Sequence, residues 1–273
     1  MSSSATGNER PRLSSSKLSA CIITFNESDR IADCLASVSF CDEVVVVDSG
    51  SSDDTVAIAE RLGARVLVRK FDGYRSQKAF AAAQAGNDWI LSLDADERIS
   101  ERLRQSVQAA QAGGFHGASG YRFARLSFYF GRFLQHGNAY PDRGLRLFDR
   151  RRGGWRGDRE IHEAASVDGP VLLLQGDVVH YPYRSLEQQL AKTQTYARMM
   201  AEHEHARGKR ASLLKLVLSP AWRFWRGYVL RLGFLDGWQG LVYAYVRANY
   251  VRQKSIMLML LQHGQPVRTA PPE

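Results

Sequence analysis

Glu43-Val44-Val45-Val46-Val47-Asp48 is the stretch on which the fold turns. Four consecutive valines are too continuous for a strand with one wet face. They read as a central strand of a parallel sheet, covered by helices on both sides. Working outward, residues 18–24 (LSACIIT) form another apolar run that ends at Asn26-Glu27, before a helical pattern through Ile31, Cys34, Leu35 and Val38. Downstream, Asp53 or Asp54 is placed to cap a helix carrying Val56, Ile58, Ala59 and Leu62, with a stop at Gly63. Residues 65–68 (RVLV) make a third strand, residues 76–86 a helix, and residues 89–96 (WILSLDAD) a fourth strand, with Ser100 capping the helix that follows. This β-α-β-α-β-α-β order with short connections predicts an α/β fold: a Rossmann-like, mainly parallel sheet with helices on both faces. In such sheets ligands bind beyond the carboxyl ends of the strands. Asn26-Glu27, Asp48 and Asp94-Ala95-Asp96 all fall there.

The periodicity shortens over residues 115–183, where YRFARLSFYF, GLRLFD and VLLLQGDVVHY suggest strands of a mixed extension. Residues 136–148 (HGNAYPDRGLRLF) concentrate aromatic, His and Arg groups, the alternative being a Gly- and Pro-bearing loop with solvated charges. No linker interrupts residues 18–183, which are expected to be one domain. From Leu186 the pattern is helical and amphipathic, so residues 184–265 are expected to form a helical module. Pro220 and several glycines are expected to break residues 211–261 into two or three helices. Residues 1–17 are Ser-rich and polar, lack the apolar run of a signal peptide, and read as a disordered tail. No stretch approaches the roughly 18 apolar residues needed to span a bilayer.

The chain has 37 Lys and Arg against 28 Asp and Glu, a net of +9, and the excess is not spread evenly. Residues 181–273 hold 14 basic and 5 acidic residues, which leaves residues 1–180 balanced. That asymmetry describes a basic module attached to a neutral catalytic body. The basic segment interleaves Arg with long apolar stretches instead of forming a solvated stripe, which argues against nucleic acid. Trp222, Phe224, Trp225, Tyr228 and Trp238 suit headgroup depth, and Arg223, Arg226 and Arg231 suit lipid phosphates. The expected partner of this module is an anionic membrane surface. The competing reading is that these aromatics pack on the catalytic domain. The three cysteines, Cys21, Cys34 and Cys41, show no metal spacing and read as buried small hydrophobes in a reducing compartment.

Two carboxylates one residue apart at the end of a buried strand offer hard oxygen ligands for Mg2+ or Mn2+. A cation held there could neutralise charge developing on a departing diphosphate. The sequence also resembles glycosyltransferase family 2 of the GT-A fold, on three segments in order. These are Thr24-Phe25-Asn26-Glu27, the Val47-Asp48-Ser49-Gly50-Ser51-Ser52-Asp53-Asp54-Thr55 run, and the strand ending in Asp94-Ala95-Asp96. Gln77-Lys78 together with Trp89 to Glu97 is similar to bacterial lipopolysaccharide-core and related cell-envelope transferases.

The resemblance implies nucleotide contacts from Asn26, Glu27, Asp48, Lys78 and Asp94, and metal contacts from Asp94, Asp96 and His180. It implies a catalytic base in the His162-Glu163 segment, because inverting transfer needs a carboxylate to take the acceptor proton. Glu163 is preferred, with Glu160 and, more distantly, Asp142 as alternatives. Tyr140, Asp142, Arg143 and Arg146 are candidate acceptor contacts, since Arg suits bidentate anion recognition. The expected activity is inverting, metal-dependent transfer of a hexose, glucose foremost, from a UDP-sugar to a lipid-linked or lipopolysaccharide-core acceptor. The expected location is the cytoplasmic face of the bacterial inner membrane, peripherally held. Two rivals stand beside it. A sugar-nucleotide nucleotidyltransferase would want a Gly-rich phosphate loop after the first strand, where this chain has Thr24-Phe25-Asn26-Glu27. A catalytically inactive glycan- or lipid-binding protein of the same fold would not need intact acidic residues.

Overall fold

The computed structural model describes residues 16–155 and 164–267. The first half runs β1 (Leu18–Thr24), α1 (Ile31–Ser37), β2 (Glu43–Asp48), α2 (Thr55–Arg61), β3 (Arg65–Val68), α3 (Tyr74–Gln84), β4 (Trp89–Asp94), β5 (Glu97–Ile99) and α4 (Glu101–Ala112). Then come β6 (Gly120–Tyr129), β7 (Arg132–Phe133), β8 (Asp142–Asp149), β9 (Gly153–Gly154), β10 (Ser166–Val167) and β11 (Val171–His180). Helices α5 (Leu186–Ala206), α6 (Leu213–Trp225) and α7 (Gly237–Gln262) complete the described chain.

Nine strands form one sheet in the order β3-β2-β1-β4-β8-β6-β11-β5, with β7 added to β6. The half built from β3, β2, β1 and β4 is parallel, and β8 joins β4 antiparallel. The fold is therefore the α/β sandwich that the sequence predicts, with a mixed extension. Successive residues of the central strands bury on opposite faces. Leu18, Ala20, Ile22, Val46, Leu91 and Leu93 pack with α1, α2 and α4 residues such as Ile31, Cys34, Ala59 and Leu103. Cys21, Ile23, Val45, Val47 and Ile90 pack on the other face with Ala81, Ala82 and Ala85 of α3 and the turn after it. Continuous valines are needed because both faces are covered. All three cysteines are free; Cys21 and Cys34 lie in this core.

Three local expectations are corrected. The fourth strand stops at Asp94, because the chain turns at Ala95-Asp96 and re-enters the sheet as β5, antiparallel to β11. The GLRLFD strand is present as β8 and starts two residues before that pattern, at Asp142, so the loop alternative for residues 136–148 fails from there on; Leu145, Leu147 and Phe148 are buried. Pro220 does not break its helix. It is buried within α6, and the helix gives way at a π-turn over Arg226–Leu230. A 3-10 turn over Gly233–Asp236 follows, entered through Leu232 in the left-handed region (φ 58°).

The helices are stapled to one another and to the sheet by polar groups that are buried or half-buried. Lys254 Nζ donates to both carboxylate oxygens of Glu204 at 2.9 and 3.0 Å, which ties α7 to α5. Asp236, almost wholly buried, accepts from the backbone N–H of Gln135 and His136 at 3.2 and 2.9 Å and from His136 Nδ1 at 3.0 Å. The residue at 240 must be glycine for this junction to close, since a Cβ there would stand 1.9 Å from the Gly233 carbonyl oxygen.

Candidate active site

The carboxyl ends of β1, β2 and β4 carry the site, and each loop is shaped by its own polar side chains. Asp48, buried at the end of β2, spends its carboxylate on the turn after it. Its Oδ1 accepts from the N–H groups of Gly50 and Ser51, both at 2.8 Å, and its Oδ2 from the Ser51 hydroxyl. Asn26 adopts a left-handed conformation (φ 53°), which Asn tolerates better than most residues. Its Oδ1 accepts from Ser52 N–H at 2.9 Å, while Glu27 N–H donates to Thr55 Oγ1 at 2.9 Å. The loops after β1 and β2 are thus interlocked.

Arg184 closes over the first of them. Its guanidinium donates to Glu27 Oε2 at 2.6 Å, to the Asn26 carbonyl at 3.2 Å and to both carboxylate oxygens of Asp29. Burial pushes the Glu27 carboxyl above its ordinary value, outweighing the opposing pull of Arg184 and Arg30. A direct hydrogen bond from Arg184 holds Asp29 below its own.

The Asp94-Ala95-Asp96 turn is held from beneath by a third acidic group. Glu97 is fully buried, and its Oε2 accepts from Asp94 N–H at 3.0 Å. Arg146 on β8 grips both of its oxygens at 2.8 and 3.0 Å. A bidentate pair of this kind fixes orientation as well as charge. Arg125 Nη1 stands 3.8 Å from Glu97 and also donates to Asp142. Ala95 N–H reaches the Ile23 carbonyl at 3.1 Å, anchoring the turn to β1.

Asp94 and Asp96 then diverge in their partners. Asp94 Oδ1 lies 3.0 Å from Lys78 Nζ but off the direction of a hydrogen bond, and Oδ2 accepts from it at 3.3 Å. Lys78 Nζ is also 5.1 Å from the centroid of the Trp155 ring. Burial works to raise the Asp94 carboxyl, yet Lys78 and Arg146 together hold it well below the usual carboxylate range. Asp96 Oδ2 stands 3.5 Å from His180 Nε2. Burial raises this carboxyl too, and the His180 contact more than reverses it. Asp96 Oδ1 is buried without a hydrogen-bond partner among the described residues. His180 is set by the sheet: it pairs with Glu97 on β5 and Ser127 on β6, and its Nδ1 is 3.0 Å from Ser127 Oγ.

Asn26, Glu27, Lys78, Asp94, Asp96 and His180 therefore sit on one end of the sheet, with Asp48 turned into its own loop. The four expected acceptor residues have separate fates. Arg146 spends its guanidinium on Glu97. Tyr140 donates its hydroxyl to Asp177 Oδ1 at 2.9 Å, Asp142 pairs with Arg125, and Arg143 is exposed at the start of β8. Glu160, His162 and Glu163 lie outside the described residues. Among the described residues, no three His, Cys, Asp or Glu side chains gather around one point as a complete metal cage. Glu97 and Arg184 were missed by the sequence reading. The signal for Glu97 is a third carboxylate within four residues, followed by a buried isoleucine at alternating spacing.

The family model for glycosyl transferase family 2 matches residues 19–166. A protein of Rickettsia felis named "Uncharacterized glycosyltransferase" is 35% identical over 242 residues, covering 83% of each chain. The lipopolysaccharide core biosynthesis glycosyltransferase LpsC of Rhizobium meliloti is 30% identical over 250 residues, covering 87% of this chain and 92% of its own length. Among solved structures, glucosyl-3-phosphoglycerate synthase from Mycobacterium tuberculosis in complex with phosphoglyceric acid aligns over 72% of this chain and 82% of that one. The identity is 18% and the TM-score 0.48.

Proposed function

The chain belongs to glycosyl transferase family 2 and is a glycosyltransferase, and from that premise we propose that it moves a hexose, glucose foremost, from a UDP-sugar to a lipid-linked or lipopolysaccharide-core acceptor with inversion. The acceptor class rests on similarity to LpsC, whose name assigns it to lipopolysaccharide core biosynthesis. The observation that carries the chemistry is the Asp94-Ala95-Asp96 turn, buttressed by Glu97 and Arg146 at the mouth of the parallel sheet.

The donor types, carboxylate and imidazole, suit a divalent cation. Asp96 offers a buried oxygen without a partner among the described residues, His180 offers an imidazole nitrogen beside it, and Asp94 adds a carboxylate whose charged form Lys78 and Arg146 favour. Carboxylate and imidazole together fit Mn2+, and carboxylate with diphosphate oxygens fits Mg2+. Asp94, Asp96 and His180 do not gather around one point in the structure, but a cation that drew them together would neutralise charge on the departing UDP. Lys78, buried against Asp94, supplies further positive charge where the diphosphate would lie. Asn26, Glu27 and Asp48 shape the two loops that would enclose the nucleotide. The acceptor hydroxyl must lose a proton as the new glycosidic bond forms, and Glu163 is our choice of base, with Glu160 next.

The test is UDP release by the purified chain against a panel of sugar nucleotides, with acceptor present and with Mn2+, Mg2+ or chelator. The proposal expects one UDP-hexose to be turned over far faster than the rest, and only with a divalent metal. Equal turnover in chelator would remove the metal from the account. No turnover of any UDP-sugar would remove the donor class.

A further inference from the structure

Helix α6 is amphipathic with its apolar side turned outward. Leu213, Leu214, Val217, Leu218, Trp222 and Trp225 are each more than half exposed. With 3.6 residues per turn they fall on one half of the helix. Charge lies on the other half, where Arg223 is partly buried. An amphipathic helix on a soluble surface normally does the reverse. The apolar surface continues past the π-turn through Leu230, Leu232, Leu235 and Trp238. Three of the chain's five tryptophans lie in it. The remaining aromatics named with them turn inward: Phe224 and Tyr228 pair with one another at 5.4 Å.

The charges around this face have one sign. From Arg207 to Gln262 the segment has ten Lys and Arg, and its sole acidic residue, Asp236, is buried under Gln135 and His136. Lys215, Arg226 and Arg231 are exposed around the apolar face. A second copy docked about a twofold axis would set these cations against their own equivalents with no acid to separate them. A bilayer surface instead offers hydrocarbon to the leucines, interfacial depth to the tryptophans and phosphate to the arginines. Among the described residues no helix is long and apolar enough to cross a membrane, so the contact is one of lying on the surface.

We propose that the outward face of α6 and the turn after it, centred on Leu214, Leu218, Trp222 and Trp225, docks the enzyme onto an anionic lipid surface. This does not depend on the sugar chemistry, so either claim can fail without the other.

The experiment is co-sedimentation of the full chain with vesicles of phosphatidylcholine alone or mixed equally with phosphatidylglycerol. The mixed vesicles should bind about ten-fold more protein, and the advantage should shrink in high salt. Leu214→Glu/Leu218→Glu/Trp222→Glu, all at exposed positions, should lose binding while circular dichroism stays native. Should that variant misfold, the native chain carries the test alone: bromine-labelled acyl chains should quench its tryptophan emission. Native binding without quenching, equal binding by the folded triple variant, or no binding at all would overturn the proposal. So would a native dimer in light scattering that the triple variant abolishes.

Discussion

Glu97 meets three demands at once: it receives the Asp94 N–H, it neutralises Arg146, and it does both while fully buried. Removing one member of a buried ion pair typically costs about 3–5 kcal/mol, because the survivor is left charged and dry. Glu97→Gln should therefore lower the free energy of unfolding by about 3 kcal/mol in urea titration. Replacing Glu97 and Arg146 together by leucine should recover much of that loss, whereas an unchanged midpoint in Glu97→Gln would show the pair to be inert. The aspartates of the turn were legible in the sequence because an apolar strand runs straight into them. Glu97 was not, since a carboxylate next to two others reads as one more solvated charge until its cation is located 49 residues away on β8. Arg184 hid for a similar reason: its partner Glu27 is 157 residues distant, and no local pattern links the two.

At the scale of elements, helices and strands of the first hundred residues were readable because their signals are local. Valine runs need two covered faces, Ser100 accepts from Leu103 N–H as a cap, and Gly63 ends α2. The errors came where tertiary contacts override local preference. β8 starts at Asp142, two residues before the GLRLFD pattern, because Asp142 and Arg143 pair with Arg125 and Ala124 of β6 despite the proline before them. Pro220 sits buried inside α6, which packs against α7. The α5–α7 staple gives a pH-dependent expectation. Burial alone would raise the Glu204 carboxyl, but the Lys254 hydrogen bonds hold it below its ordinary 4.5. Its stabilisation is thus complete above the unfolded value and is lost as pH falls through the folded one. Thermal unfolding of the native chain should exceed that of Glu204→Gln by about 1 kcal/mol near neutral pH, and the gap should close in acid. A gap that persists unchanged at low pH would mean the charge contributes nothing.

For the whole molecule, a balanced sheet domain and a basic helical module differ in what they face. The split of charge along the chain was visible in composition, but the outward turn of α6 was not. Periodicity reports that a helix has an apolar side and says nothing of the direction in which that side points. The catalytic claim also belongs to this scale, because strand ends from β1, β2, β4 and β11 must meet before any of them matters. Its most direct test is metal-dependent UDP release by the native chain and by Asp96→Ala, with circular dichroism as the control for folding. The account predicts that the variant keeps its fold and loses metal-dependent release almost entirely. Full activity in a folded Asp96→Ala protein would contradict it.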